Sequence, residues 1–211
     1  MKTKSRTKRF LFFFQTFVLI ELFDFNKLKK NLQISQKVLY IHFFLSTFAF
    51  IMKEKAPLIP TIIGTGFGAG FWPWGPGTAG AFVATAIWFA LSMVLSPITL
   101  MTTTLTLIIV GTALGTWATK QLEPCWGEDP HQVVIDEMVG VWIPLLLLCD
   151  TQYQWWHIIA ALIIFRFFDI VKPLGIRAID RIHGAFWVMA DDIVAGIYSL
   201  LVLWGFMQII S

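Results

Sequence analysis

The amino-acid sequence predicts an all-α integral membrane protein with about five transmembrane helices, preceded by a short or re-entrant segment. Two observations lead to this prediction. Of the 211 residues, 57% are hydrophobic and only 14% are charged, whereas soluble domains carry about 25% charged residues. The apolar residues also form successive segments of near-membrane length, so no room is left for a separate soluble domain.

The first 51 residues differ in composition from the rest of the chain. They hold nine Lys/Arg and two acidic residues, whereas residues 52–211 hold seven and eleven. Their two apolar runs, 10–23 and 38–51, are short for a span, which needs about twenty residues. We expect residues 1–51 to be an atypical extension, either a gene-start artefact ahead of Met52 or a basic interfacial anchor. A native peptide from within this extension, found by mass spectrometry, would contradict the artefact.

The predicted spans lie within residues 52–211, which we expect to form one membrane domain. Between residues 57 and 77, four prolines and many glycines interrupt any regular span, so a short or re-entrant helix is expected there. Five apolar segments then predict the spans, at residues 78–96, 98–118, 132–149, 154–171 and 191–210. Five alternating spans place the Lys and Arg residues after Met52 on one side, which the positive-inside rule makes cytoplasmic.

Three acidic strings lie at the ends of apolar segments on this same side, at residues 129–140, 165–173 and 189–196. A carboxylate at the edge of a membrane helix is costly unless it is paired, hydrated or bound to a cation. Several carboxylates at one level therefore predict a metal site at the membrane surface.

The first string contains Asp136 and Glu137. Asp129 is expected to be the N-cap of the helix that carries them, with Pro130 as its first helical residue. The two carboxylates would then lie two turns inside the helix, where complementarity to the helix dipole no longer explains them. We interpret at least one of them as a metal ligand or an acid/base group.

Asp191 and Asp192 open the last predicted span. One of them fits a helix cap, but two adjacent like charges indicate a cation, and Mg²⁺ prefers carboxylate oxygens. Asp180 is expected to be exposed on an amphipathic surface segment whether or not it has a function.

Arg166 and Asp169 are spaced i, i+3 near the end of the fourth predicted span, and Lys172 follows shortly after. Such a pair is often only structural. An Arg and a Lys beside an Asp also suit a phosphate next to a divalent cation. Gly77 and Thr78, at a predicted helix start, offer backbone N–H groups and a hydroxyl for the same anion.

Together these strings resemble the phosphatidylglycerophosphatase A family. The matching motifs keep the family's order and spacing over residues 60–200, and they lie at residues 76–80, 136–140, 165–173 and 189–196. The chain departs from the family pattern at Trp187, where a second glycine is common, and residues 1–51 have no family counterpart.

The resemblance implies a Mg²⁺-dependent phosphatase that hydrolyses phosphatidylglycerophosphate to phosphatidylglycerol in the bacterial inner membrane, with its site facing the cytoplasm. The expected partner is the phospholipid substrate in the bilayer, and no nucleic-acid partner is expected. The candidate catalytic and metal-binding residues are Asp136, Glu137, Asp169, Asp191 and Asp192, and the candidate phosphate-binding residues are Arg166, Lys172, Gly77 and Thr78.

Two alternative functions are weighed against this one. A small transporter or channel would place charges near the bilayer midplane and often contains internal repeats, neither of which the sequence displays. A CDP-alcohol phosphotransferase would carry a spaced Asp–Asp–Gly–Ala–Arg pattern, which is absent from the sequence. For the phosphatase itself, attack by water and passage through an aspartyl-phosphate both stay open.

Overall fold

The computed structural model describes residues 56–150 and 155–210, and every regular element within these two ranges is helical. Two short 3₁₀ turns lie at Ala69–Phe71 and Leu146–Leu148. The expectation for residues 1–51 lies outside the described residues. In chain order the α-helices are α1 Leu58–Gly64, α2 Pro76–Ser92, α3 Pro97–Trp126, α4 Ile135–Leu145, α5 Trp155–Val171, α6 Ile176–Asp180 and α7 Ala185–Ile210.

The all-helical prediction is confirmed for the described residues, but the number of five spans is not. Among these helices, α3 and α7 are long and apolar enough to cross a membrane. Helices α2 and α5 have 17 residues each, and α4 has only 11. A regular helix needs about twenty residues to span the hydrocarbon layer. The broken segment between residues 57 and 77 contains the short helix α1, as expected.

The start of α4 corrects the prediction that Asp129-Pro130 opens this helix. The helix begins only at Ile135, after a loop in which the N–H of Val134 donates to the carbonyl of Gly64 at 2.8 Å. This contact ties the loop to the end of α1, far away in the sequence. Asp136 and Glu137 therefore lie in the first helical turn rather than two turns inside.

The start of α7 is also earlier than predicted. The chain turns at Gly184, whose φ of 122° favours glycine, and the N–H of Trp187 donates to the Gly184 carbonyl at 2.9 Å. The helix begins at Ala185 instead of residue 191. Asp191 and Asp192 thus lie in the second turn, and neither can act as the helix cap.

Helix α4 is the centre of the described domain and packs against α2, α3, α5 and α7. All its residues except Glu137 are buried. The indole N–H groups of the buried Trp88 and Trp142 both donate hydrogen bonds, as is usual for buried polar groups. The indole N–H of Trp142 donates to the Ala84 carbonyl at 3.0 Å, and that of Trp88 donates to the Thr104 hydroxyl at 3.1 Å.

Two glycines bring the backbones of α4 and α7 into direct contact. A Cβ on Gly196 would lie 2.5 Å from the carbonyl oxygen of Gly140, and a Cβ on Gly140 would lie 2.8 Å from that of Asp192. No larger residue fits at this crossing. Asp136 precedes Gly140 by one helical turn, and Asp192 precedes Gly196 by the same spacing. The crossing therefore brings both carboxylates to one end of the bundle.

Candidate functional site

A cavity of about 300 Å³ lies where α2, α4 and α7 begin and α5 ends. Its described walls hold eight carboxylates but only one arginine and one lysine. Such an excess of negative charge in a partly closed space favours either a bound cation or protonation of some carboxyl groups. The carboxylates belong to Glu128, Asp129, Asp136, Glu137, Asp169, Asp180, Asp191 and Asp192.

Three of these carboxylates form a tight group at the base of the cavity. Oxygens of Asp136, Glu137 and Asp192 all lie within 4.8 Å of one another. Asp136 is 8% exposed and Asp192 only 3% exposed. The amide N–H of Glu137 donates to Asp136 Oδ1 at 3.1 Å and relieves part of this charge.

These three residues fit a divalent cation. Glu137 Oε2 and Asp192 Oδ1 are buried and have no hydrogen-bonding partner among the described residues. Buried oxygens without a donor are costly, and a cation held between them would satisfy both. A donor set made only of oxygens suits a hard cation such as Mg²⁺ or Ca²⁺.

The other two predicted ligands each pair with a basic residue instead. Asp169 forms an ion pair with Arg166 in the predicted i, i+3 arrangement, and Asp191 accepts a hydrogen bond from Lys172 Nζ at 2.6 Å. Both carboxylates are still close enough to Asp192 to repel its charge. They surround the tight group of three without belonging to it.

Arg166 projects from α5 toward the same group. Its Nη1 atom lies 3.9 Å from Glu137 Oε1 as well as next to Asp169. The Nε atom is buried and makes no hydrogen bond within the described ranges. Arg166 can therefore donate to a bound anion, and a guanidinium suits the oxygens of a phosphate particularly well.

Lys172 follows the end of α5 and has a left-handed backbone, with φ of 48°. Its ammonium group is held between Asp191 and Asp180. Burial alone would lower the pKa of Lys172, but the hydrogen bonds to Asp180 and Asp191 outweigh it and raise the pKa above its ordinary value. The residue is therefore a fixed positive charge beside the carboxylate group.

Sequence reasoning missed Asp180 as a member of the site. The residue is exposed, as expected, but it also lines the cavity and pairs with Lys172. The turn through residues 173–175, with Gly175 at φ of 89°, folds α6 back and brings the two side chains together. No local pattern in the sequence signals this contact.

The two predicted anion-binding residues of α2 are placed differently. Gly77 lines the cavity, and a Cβ there would collide with the carboxylate of Glu137 and lie 3.2 Å from Arg166 Nη1. Thr78 is exposed and is not among the residues that line the cavity. No side chain caps the start of α2, so its first N–H groups are available to an anion.

The mouth of the cavity is formed by polar loop residues. Glu128 Oε2 and His183 Nδ1 lie 2.6 Å apart, and their side chains are 58% and 85% exposed. This pair connects the loop before α4 to the turn before α7.

The fold and this cavity together define a class of protein. Its described elements are all helical, two of its helices are long and apolar enough to cross a membrane, and its carboxylate-rich site is flanked by Arg and Lys. A family model for phosphatidylglycerophosphatase A matches residues 62–207, and the chain belongs to this family. It is accordingly a phosphatase, and membership decides against the transporter, channel and phosphotransferase alternatives.

Curated relatives agree with this assignment. The chain is 34% identical to phosphatidylglycerophosphatase A of Escherichia coli K12 over 68% of its own length and 80% of that protein. It is 35% identical to phosphatidylglycerophosphatase A of Haemophilus influenzae, over 73% and 93% of the two chains. A protein of Bacteroides thetaiotaomicron, named as a candidate phosphatidylinositol-3-phosphatase, is 51% identical over 71% of this chain and 94% of its own length. No solved structure matches the chain.

Proposed function

We propose that this protein hydrolyses phosphatidylglycerophosphate to phosphatidylglycerol and inorganic phosphate, and that the reaction requires Mg²⁺. The observation that carries the proposal is the buried group of Asp136, Glu137 and Asp192 beside Arg166, in a chain of the phosphatidylglycerophosphatase A family. The product would supply phosphatidylglycerol to the bacterial membrane and to cardiolipin synthesis.

In this proposal, Asp136, Glu137 and Asp192 hold the cation, and Asp169 and Asp191 lie next to them as further candidate ligands. Bound Mg²⁺ would neutralise charge on the phosphoryl group and lower the pKa of an attacking water. The remaining tasks fall to the chain's own groups, because positioning and electrostatic stabilisation account for most of the catalysis of phosphoryl transfer.

The terminal phosphate would be held by the two basic residues. Arg166 has a buried Nε without a partner and can donate to a phosphate oxygen, while Asp169 keeps the guanidinium oriented. Lys172 adds a fixed charge between Asp180 and Asp191. The uncapped start of α2 at Gly77 brings backbone N–H groups to the same anion. In net hydrolysis the oxygen of water bonds to phosphorus, the P–O bond to the alcohol oxygen breaks, and one proton of the water ends on that oxygen, giving inorganic phosphate and the lipid alcohol.

Phosphatidylinositol 3-phosphate is a second candidate substrate. The relative with 51% identity is named for a phosphatase acting on this lipid. Both lipids present a phosphomonoester on a polyol headgroup, so the same carboxylate and cation arrangement suits either.

The test is phosphate release from each lipid in detergent micelles by the purified protein, with Mg²⁺ or with EDTA. We expect release from phosphatidylglycerophosphate that depends on Mg²⁺ and forms no CMP. Asp136→Asn should lower the rate at least about 100-fold, because it removes a charge from the cation site. Asp150→Asn, an exposed carboxylate that does not line the cavity, is the matched control. Undiminished release by Asp136→Asn would refute this site.

We further propose that the protein lies in the bacterial inner membrane with the cavity on the cytoplasmic side. Support comes from the basic residues, which the predicted spans place on one side. Ser96 and Cys125 mark the opposite ends of α3 and are both exposed. In intact cells, a membrane-impermeant thiol reagent should label a Ser96→Cys, Cys125→Ser variant but not the wild-type Cys125. The reverse labelling pattern would show the opposite orientation.

A further inference from the structure

One aromatic side chain in the cavity has no part in the proposed chemistry. Trp187 lies in the first turn of α7 and lines the cavity, where most other lining residues are charged or polar. The backbone N–H of Trp187 donates to the Gly184 carbonyl. A Cβ built on Gly184 would lie 3.7 Å from Trp187 Cδ1. The hydrogen bond fixes the backbone of the first turn, and the indole lies near the turn that opens the helix.

The position of Trp187 is intermediate between the mouth and the base of the cavity. Trp187 and Asp191 are spaced i, i+4 on α7 and therefore share one face of the helix, whereas His183 lies just before the helix begins. His183 is exposed, whereas the exposed fraction of the whole residue is 37% for Trp187 and 5% for Asp191. The indole is thus part of the cavity wall on the more exposed part of the helix face that carries Asp191.

This position determines which part of a substrate meets the ring. The phosphate must approach Arg166 and the carboxylates at the base, while the acyl chains stay outside the cavity. The segment between them is the polyol of the headgroup, and in this arrangement Trp187 is the aromatic side chain of the cavity wall that would lie beside it. The cavity of about 300 Å³ lies at the lower end of the usual range for ligand pockets, and the indole of Trp187 is part of its wall.

We propose that Trp187 is a specificity-determining residue that selects slim polyol phosphates, such as glycerol phosphate, over bulky ones, such as inositol phosphate. The inference rests on the proposed function, because it assumes a phosphomonoester lipid in the cavity. The selection is steric: a linear glycerol passes beside the ring, whereas a six-membered inositol ring competes with it for the same space.

The experiment compares kcat/KM for phosphatidylglycerophosphate and for phosphatidylinositol 3-phosphate in mixed micelles with Mg²⁺. The wild type should prefer the glycerol lipid. In Trp187→Ala the ratio of the two values should fall about tenfold, which is within the range that pocket shape commonly provides. The change should come mainly from a lower KM for the inositol lipid, with kcat for the glycerol lipid nearly unchanged. Trp187→Phe, which keeps a smaller ring, should give an intermediate ratio.

The control is Trp155→Ala, because Trp155 is an exposed tryptophan that opens α5 and does not line the cavity. In this variant the ratio of kcat/KM for the glycerol lipid to kcat/KM for the inositol lipid should equal that of the wild type. A wild type without preference, or an unchanged ratio in Trp187→Ala, would overturn this inference while leaving the phosphatase proposal standing. Failure of the wild type to hydrolyse either lipid would instead overturn the proposed function, and the inference with it.

Discussion

Replacing Gly77 by alanine adds a single methyl group, and this group should displace the side chains of Glu137 and Arg166. A methyl group at this position would collide with the carboxylate of Glu137, and it would lie 2.9 Å from Glu137 Cδ and 3.2 Å from Arg166 Nη1. Ordinary contact begins at about 3.4 Å. In Gly77→Ala the Glu137 carboxylate must therefore move away from α2 by about 1 Å, and Arg166 must move with it.

We expect this displacement to lower kcat/KM for the phosphomonoester lipid about 100-fold, since a 1 Å misplacement can cost that much. The loss corresponds to about 2.7 kcal/mol of transition-state stabilisation. Helix propensity by itself favours Ala over Gly, by about 0.5–1 kcal/mol, so the reduced activity should not reflect a weaker α2. Steady-state phosphate release over a range of lipid and Mg²⁺ concentrations measures the effect.

Gly205→Ala is the matched control, because a Cβ at Gly205 in α7 would meet nothing within 4 Å. It should retain wild-type kcat/KM. If Gly77→Ala keeps wild-type activity and the same Mg²⁺ dependence, then the Glu137 carboxylate is not held by its contact with α2, and the reasoning fails.

Two further predictions concern the cation and Lys172. Mg²⁺ should raise the thermal unfolding midpoint of the wild type and of Asp150→Asn, because a ligand at 100 times its Kd stabilises by about 2.7 kcal/mol. Asp192→Asn should lose most of this shift, and equal shifts in the two variants would rule out Asp192 as a ligand. Asp180→Asn should raise KM about tenfold, because one of the two carboxylates that hold Lys172 loses its charge. A lowered KM would show instead that Asp180 competes with phosphate for the lysine.

The sequence predicted the helical class of the described residues, and eight of the nine residues it singled out line the cavity, because apolar segments and isolated charges are local signals. The starts of α4 and α7 could not be read in this way. The loop before α4 is fixed by the hydrogen bond from Val134 to Gly64, which joins residues seventy positions apart. The turn at Gly184 extends α7 upstream, although the Asp191-Asp192 pair looked like a helix start.

The grouping of the charged side chains also depends on tertiary packing. Arg166 and Asp169 are neighbours on one helix, so their pairing could be predicted. The pairing of Lys172 with Asp180 depends on the turn between them, which has no distinctive local signature. Thr78 follows Gly77 in the sequence, but its side chain points elsewhere, since successive residues of a helix differ by about 100° in direction.

The glycine crossing of α4 and α7 has a consequence for how the protein is assembled. Within a bilayer, helices gain little from burying apolar surface against each other, so their association depends on close packing and polar contacts. A cation held by Asp136 and Asp192 would join the two helices one turn from Gly140 and Gly196, where the backbones approach too closely for any larger residue. The ion would then be a cross-link of the bundle as well as a cofactor, and its removal would loosen the helix pair that holds it.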